Sequence, residues 1–175
     1  MSQDDDFVID SYFEKCIEYR DRRKVVVLVD SKKKAVDQKE KPEYRIENNG
    51  QNLVAKIEVD GCLFPKDSEP KKCDYLVLVY FKTNQKVAYF VELKGKDLKT
   101  AIEQIKETLK NTHKHLTGFS FRCRISQSKM QPIKATGQQK EKLIKYLKKY
   151  HNENTSNVVP TELVKIGKTP LIETI

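Results

Sequence analysis

Residues 72–109 read KCDYLVLVYFKTNQKVAYFVELKGKDLKTAIEQIKETL, and this stretch constrains the fold more than any other. Two apolar runs, 74–81 and 87–93, flank a polar break at 82–86 that contains Thr83, Asn84 and Gln85. Runs crowded with Val, Tyr, Phe and Leu on either side of such a break predict a β-hairpin. Both faces of the first strand are apolar, with Leu76, Leu78 and Tyr80 on one side and Tyr75, Val77, Val79 and Phe81 on the other. Such strands need cover on both sides, which calls for a layered fold. Beyond Gly95, Leu98, Ala101, Ile102, Ile105 and Leu109 recur at helical spacing, so a helix follows the second strand directly.

Charged groups at the edges of apolar runs are costly unless something pairs or uses them. Asp74, Glu92 and Lys94 are such groups. Alternation puts Glu92 and Lys94 on one face of the second strand. A three-residue loop at 83–85 would set Lys82 opposite Lys86 and Asp74 opposite Lys94. Asp74 would then be diagonal to Glu92, with opposed Cβ atoms roughly 5 Å apart. A loop one residue shorter would turn Asp74 to the wrong face. Two carboxylates and an ammonium gathered in this way suit Mg²⁺, which takes one or two carboxylates and leaves room for water and phosphate. The same groups also read as an ion pair at a sheet edge. The bare acid-x-Lys spacing recurs at Asp30, Asp37, Glu69 and Asp97, so context, rather than the triplet, marks Glu92-Leu93-Lys94.

In that context the chain resembles the PD-(D/E)XK nuclease superfamily over residues 7–126. Asp74 matches its first acid, Glu92-Leu93-Lys94 its (D/E)XK element, and Cys73 stands in place of the proline. The resemblance implies an α/β fold with a mixed central sheet flanked by helices, in the order helix, three strands, helix, strand. It also implies a Mg²⁺- or Mn²⁺-dependent nuclease with Asp74, Glu92 and Lys94 catalytic, and DNA ahead of RNA as substrate. Glu58 would be a third metal ligand, and Glu14 and Gln104 auxiliary residues from the flanking helices. The rival reading is a binding module for nucleic acid or protein on the same fold.

At 175 residues the chain suits one domain with a sizeable core, expected over 1–151, with 152–175 as linker and tail. Its net charge of +9 favours a polyanionic partner, although a Lys-rich composition alone also produces it. Lys96, Lys99, Arg122 and Arg124 are the cations expected to meet nucleic acid. The two arginines alternate with Phe121, Cys123 and Ile125 on a strand within 118–126. Cys16, Cys62, Cys73 and Cys123 form no CxxC pair and read as reduced core residues. A zinc set from Cys62, Cys73, His113 and His115 matches no common spacing. The acidic start MSQDDD is unlike a signal peptide and no run approaches a membrane span, so a cytoplasmic, membrane-free protein is expected.

Elsewhere, Ile9, Phe13, Cys16 and Ile17 predict a first helix, and the run 25–29 a buried strand or a strand-like connection. Asn49-Gly50 predicts a hairpin between 44–47 and 53–60, whose second strand has Lys56, Glu58 and Asp60 on its polar face. Leu143, Ile144, Leu147 and Tyr150 predict a third helix over 138–150. The apolar tail, split by Pro160, Gly167 and Pro170, is read either as an added edge strand or as a docking segment for a second copy or another protein.

Overall fold

A computed structural model describes residues 7–30, 41–94, 97–150 and 162–175. A single 3-10 turn, Glu14–Cys16, precedes β1 (Ile17–Asp21), β2 (Val25–Val29), β3 (Glu43–Glu47), β4 (Leu53–Glu58), β5 (Tyr75–Tyr80) and β6 (Lys86–Lys94). Then follow α1 (Leu98–Thr112), β7 (Ser120–Gln127), α2 (Ile133–Tyr150), β8 (Val164–Lys168) and β9 (Leu171–Thr174). The expected hairpin is β5–β6. It lies at the centre of a six-stranded sheet of order β1-β4-β5-β6-β7-β8. The pairs β1–β4, β4–β5 and β5–β6 are antiparallel, whereas β6–β7 and β7–β8 are parallel. Parallel neighbours need long crossovers, and α1 and α2 lie in those connections.

The two apolar faces of the hairpin are covered by different materials. Leu76, Leu78, Ala88 and Phe90 pack with Leu98, Ile102, Ile105 and Leu109 of α1 and with Leu143 and Leu147 of α2. Tyr75, Val77, Val79, Tyr89 and Val91 pack against Val26, Leu28, Tyr44, Ile46 and Leu171 of a second sheet, of order β2-β3-β9. The protein is thus a mixed α/β structure with helices on one face of a mixed sheet and a smaller sheet on the other.

That second sheet accounts for most departures from the sequence expectations. The Asn49-Gly50 turn does not close a hairpin, because β3 pairs with β2 and β9 while β4 pairs with β1 and β5. The turn carries the chain from one sheet to the other. The Asn48 side chain holds this corner by donating to the Arg23 and Asn52 carbonyls and accepting from the Asn52 amide at 2.8 Å. β2 is buried on one face only, through Val26 and Leu28, since the small sheet packs on the large sheet by that face. The expected first helix shrinks to the 3-10 turn, and Ile17 begins the strand that pairs with β4. Ile9, Phe13 and Cys16 are nonetheless buried, so the apolar spacing reported burial correctly and periodicity wrongly. α2 begins five positions before 138, with Pro132 just ahead of it, a residue that favours helix starts.

The tail folds back as two strands, β8 beside β7 and β9 beside β3. It is tied down by a buried ion pair. Arg124, fully buried, donates Nε and Nη2 to the two carboxylate oxygens of Glu173 at 2.6 and 2.5 Å, and its plane lies over Tyr89. The Tyr44 hydroxyl donates to the same carboxylate at 2.5 Å. Burial pushes the Glu173 carboxyl upward, but the hydrogen bonds and charge of Arg124 outweigh it and leave the group below its ordinary value. Burial, together with the Glu173 charge, pushes the Tyr44 hydroxyl well up.

Cys16 and Cys62 are bonded to each other across 46 residues, which corrects the reading of four reduced cysteines, while Cys73 and Cys123 are free and buried. Among the described residues no helix is long and apolar enough to cross a membrane.

Two outcomes follow from these links. Replacing Cys16 and Cys62 by Ser is expected to cost about 2–4 kcal/mol of unfolding free energy by denaturant titration. Glu173→Gln is expected to destabilise by about 3–5 kcal/mol at pH 7, since it leaves Arg124 buried without its countercharge. Because the folded Glu173 titrates below its ordinary value, that stabilisation is complete above pH ~5. It is lost as pH falls through the folded value, so stability curves of the two proteins should converge at acid pH.

Candidate functional site

The register of β5 and β6 pairs Tyr75 with Val91 and Tyr80 with Lys86. One step further, Asp74 lies opposite Glu92. The hairpin loop is 82–84, closed by the Phe81 amide on the Gln85 carbonyl at 2.8 Å, with Asn84 at φ 64°. A three-residue loop ending in a left-handed residue is a common hairpin closure, and Asn tolerates that conformation. Relative to the expected loop, 83–85, the pairing moves Asp74 from Lys94 to Glu92 but keeps all three side chains on one face. The two acids become direct cross-strand neighbours, and Lys94 becomes the diagonal one.

Backbone and helix contacts hold this group in place. The Leu93 amide donates to Asp74 Oδ2 at 2.9 Å, tying the acid to β6 between Glu92 and Lys94. Lys94 Nζ donates to Gln104 Oε1 at 3.0 Å and lies 3.8 Å from Glu92 Oε1. Gln104 Nε2 in turn donates to the Lys72 carbonyl at 2.9 Å. One turn along α1, Thr108 Oγ1 accepts from the Cys73 amide at 2.8 Å. Residues four apart share a helix face, so Gln104 and Thr108 together grip the backbone just before Asp74. Thr108 was not singled out from the sequence. The available signal was a polar residue on the apolar stripe of α1, four positions after Gln104.

Burial within the group is graded. Glu92 is 2% exposed, the Lys94 side chain 29%, and Asp74 intermediate, so the group opens to solvent on the lysine side. Burial pushes the Cys73 thiol well above its ordinary range, and the charges of Glu92 and Asp74 add to the effect. The residue in the proline position is therefore an inert core thiol packed beside the acids.

The remaining candidates lie elsewhere. Glu58 pairs with Tyr75, so alternation sets it on the small-sheet side, while Ile57 and Val59 take the side of Asp74. The pairing brings two acids together, not three. Among the described residues no group of three or more His, Cys, Asp and Glu has metal-holding geometry. Glu14 is exposed in the 3-10 turn before β1, two strands from β5 in the sheet order. Lys99 is exposed in the first turn of α1, whose N-terminus Asp97 caps by accepting from the Thr100 amide at 3.0 Å. Lys96 falls outside the described residues. Arg122 and Arg124 do not face solvent. The small sheet covers their side of β7, leaving them 3% and 0% exposed, and Arg124 is committed to Glu173. His113 bonds carbonyls at the end of α1, and His115 stacks on Tyr12 and pairs with Asp10 at 3.2 Å.

Asp74 and Glu92 offer hard oxygen donors on adjacent strands at one end of the sheet. Mg²⁺ and Mn²⁺ suit that donor set, with water or phosphate completing the shell. No protein-family profile, curated protein or solved structure matches the chain. Gln104→Leu keeps the helix but removes both ends of the link between Lys94 and Lys72. It is expected to cost about 1–3 kcal/mol in chemical denaturation.

Proposed function

We propose that the chain is a metal-dependent nuclease on a restriction-endonuclease-like core, with Asp74, Glu92 and Lys94 as its catalytic group. The observation that carries this reading is the juxtaposition of the two acids on one face, with Lys94 two residues on and held by Gln104. The order β4, β5, β6, α1, β7 is compatible with that core, while a 3-10 turn replaces its first helix and β1, β2 and β3 precede β4. Burial adds support. A carboxylate as enclosed as Glu92 needs countercharge, and Lys94 Nζ stands 3.8 Å from it.

Asp74 and Glu92 would hold Mg²⁺ or Mn²⁺. Such a cation polarises a scissile phosphate and lowers the pKa of a bound water. Lys94, steered by the Gln104 carbonyl oxygen, brings a positive charge to the solvent-facing side of the pair, where charge developing on a phosphate is stabilised. The surplus of 34 Lys and Arg over 25 Asp and Glu favours a polyanionic substrate, and DNA is the substrate class the resemblance implies.

The test is cleavage of supercoiled plasmid and of labelled single strands with Mg²⁺, Mn²⁺ or EDTA. Metal-dependent cleavage is expected, and Lys94→Ala should lower its rate by about 10²–10³-fold with unchanged folding. Glu58→Gln should retain full activity, because that carboxylate lies on the other face of the sheet. Salt-sensitive binding without cleavage under any metal would replace this reading with a non-catalytic nucleic-acid module.

A further inference from the structure

A cleft of about 570 Å³ lies at the end of the large sheet away from the acid pair. There the end of β5, the start of β6, the start of β4 and the segment after β1 come together around the 82–84 loop. The six residue steps from Asp74 to Tyr80 separate the two regions by about 20 Å along the strand. A second hollow, sharing Phe7, Arg22 and Leu53 with the first, continues the cleft toward Arg20 and Asp21.

Its lining combines flat aromatic surface with positive charge. Phe7, Tyr80 and Phe81 line the cleft and are each half-buried. Phe7 and Tyr80 lie against each other with centroids 3.9 Å apart, and the Tyr80 hydroxyl is fixed on the Val8 carbonyl at 2.8 Å. Around the rings stand Arg20, Arg22, Lys82 and Lys86. The Arg20 guanidinium is 5.5 Å from the Phe7 centroid and Lys86 Nζ 5.3 Å from that of Tyr80. Among the described residues Asp21 is the acid in the lining, and Arg23 pairs with it through two bonds of 2.6 and 2.8 Å. Among the described residues the lining is therefore net cationic, and it brings three aromatic residues together with the side-chain amides of Asn84 and Gln85. Aromatic faces that stack bases, set among cations that track phosphates, are the combination by which proteins hold unpaired nucleotides.

We infer that this cleft is a second site, for the stacked base and phosphate of an unpaired nucleotide, presented by a single strand or as a free mononucleotide. It is separate from the metal centre and does not depend on it. Binding can be measured in EDTA, so lost cleavage with retained cleft binding would reject the nuclease reading alone, and the converse result would reject the cleft alone.

The experiment is fluorescence anisotropy of a short labelled oligothymidylate with the full chain in EDTA, over a salt series. Arg22→Ala with Lys82→Ala is expected to weaken binding about tenfold or more and to reduce the salt slope by roughly 1.4, since each phosphate contact on a single strand contributes ~0.7. Phe81→Leu keeps the charge and an apolar side chain but removes the ring, and is also expected to weaken binding about tenfold. An abasic strand of equal length should bind more weakly than oligothymidylate. Lys142→Ala with Lys145→Ala, two exposed lysines on α2, should leave the affinity unchanged. Thermal melts of all variants establish that each is folded. Displacement of the probe by thymidine monophosphate would identify a mononucleotide site, and displacement by oligonucleotides alone a strand site. Three results would overturn the inference: no binding by the wild type, equal loss in the α2 variant, or equal affinity for the abasic strand.

Discussion

The hairpin of β5 and β6 is apolar on both faces, and the rest of the structure answers that one constraint. Nearly every side chain from Tyr75 to Leu93 outside the 81–86 turn region is buried. At about 25 cal/mol per Å² of apolar surface removed from water, exposing either face would forfeit a large part of the folding free energy. One face is covered by α1 and α2, which also serve as the crossovers that parallel β7 and β8 require. The other is covered by the small sheet, assembled from the consecutive strands β2 and β3 and the distant β9. This assembly buries a charge. Arg124 lies beneath the small sheet, and β9 brings Glu173 to meet it.

The same constraint determines how the acids are presented. Residues 72–74 enter the central strand from a loop, and a loop entry alone would leave Asp74 poorly located. Gln104 and Thr108 prevent this by binding the Lys72 and Cys73 backbone groups from α1. The helix that covers the apolar face therefore also indexes the entry of β5, and through Gln104 it orients Lys94. The positions of Asp74 and Lys94 are coupled through one glutamine side chain. The opposite end of the sheet is built differently, with the turn 82–84 and the residues after β1 leaving an open, cationic and aromatic cleft.

Several features were legible from residue types and spacing because they depend on neighbours in the chain. The hairpin, the helix after it, the strand of Phe121, Cys123 and Ile125, and the shared face of Asp74, Glu92 and Lys94 all follow from local periodicity. The register was read two positions off in its sum because Asn84, rather than Gln85, closes the turn. An error of that parity preserves the face, so the acid pair survived it. Glu58 was misread for the same kind of reason. Its strand alternates as expected, but only its pairing with β5 reveals which face the even positions take.

Other features depend on contacts between residues far apart in sequence, and these required the folded chain. Arg122 and Arg124 alternate with apolar residues as a solvated face would. They are buried because β2, β3 and β9 arrive from elsewhere to cover them. The Asn49-Gly50 turn carries a strong local hairpin signal, yet the strands on either side find better partners in two different sheets. The Cys16–Cys62 bond and the Arg124–Glu173 pair join positions 46 and 49 residues apart, beyond the reach of any periodicity. The sequence by itself determined the central hairpin, the helix after it, the strand of Phe121 to Ile125 and that the centre of the sheet must be covered twice, because those properties are set by side-chain spacing along the backbone. Tertiary structure alone decided what covers it, which cations are withdrawn from solvent, and that two carboxylates rather than three share a face, because those depend on which strands pair.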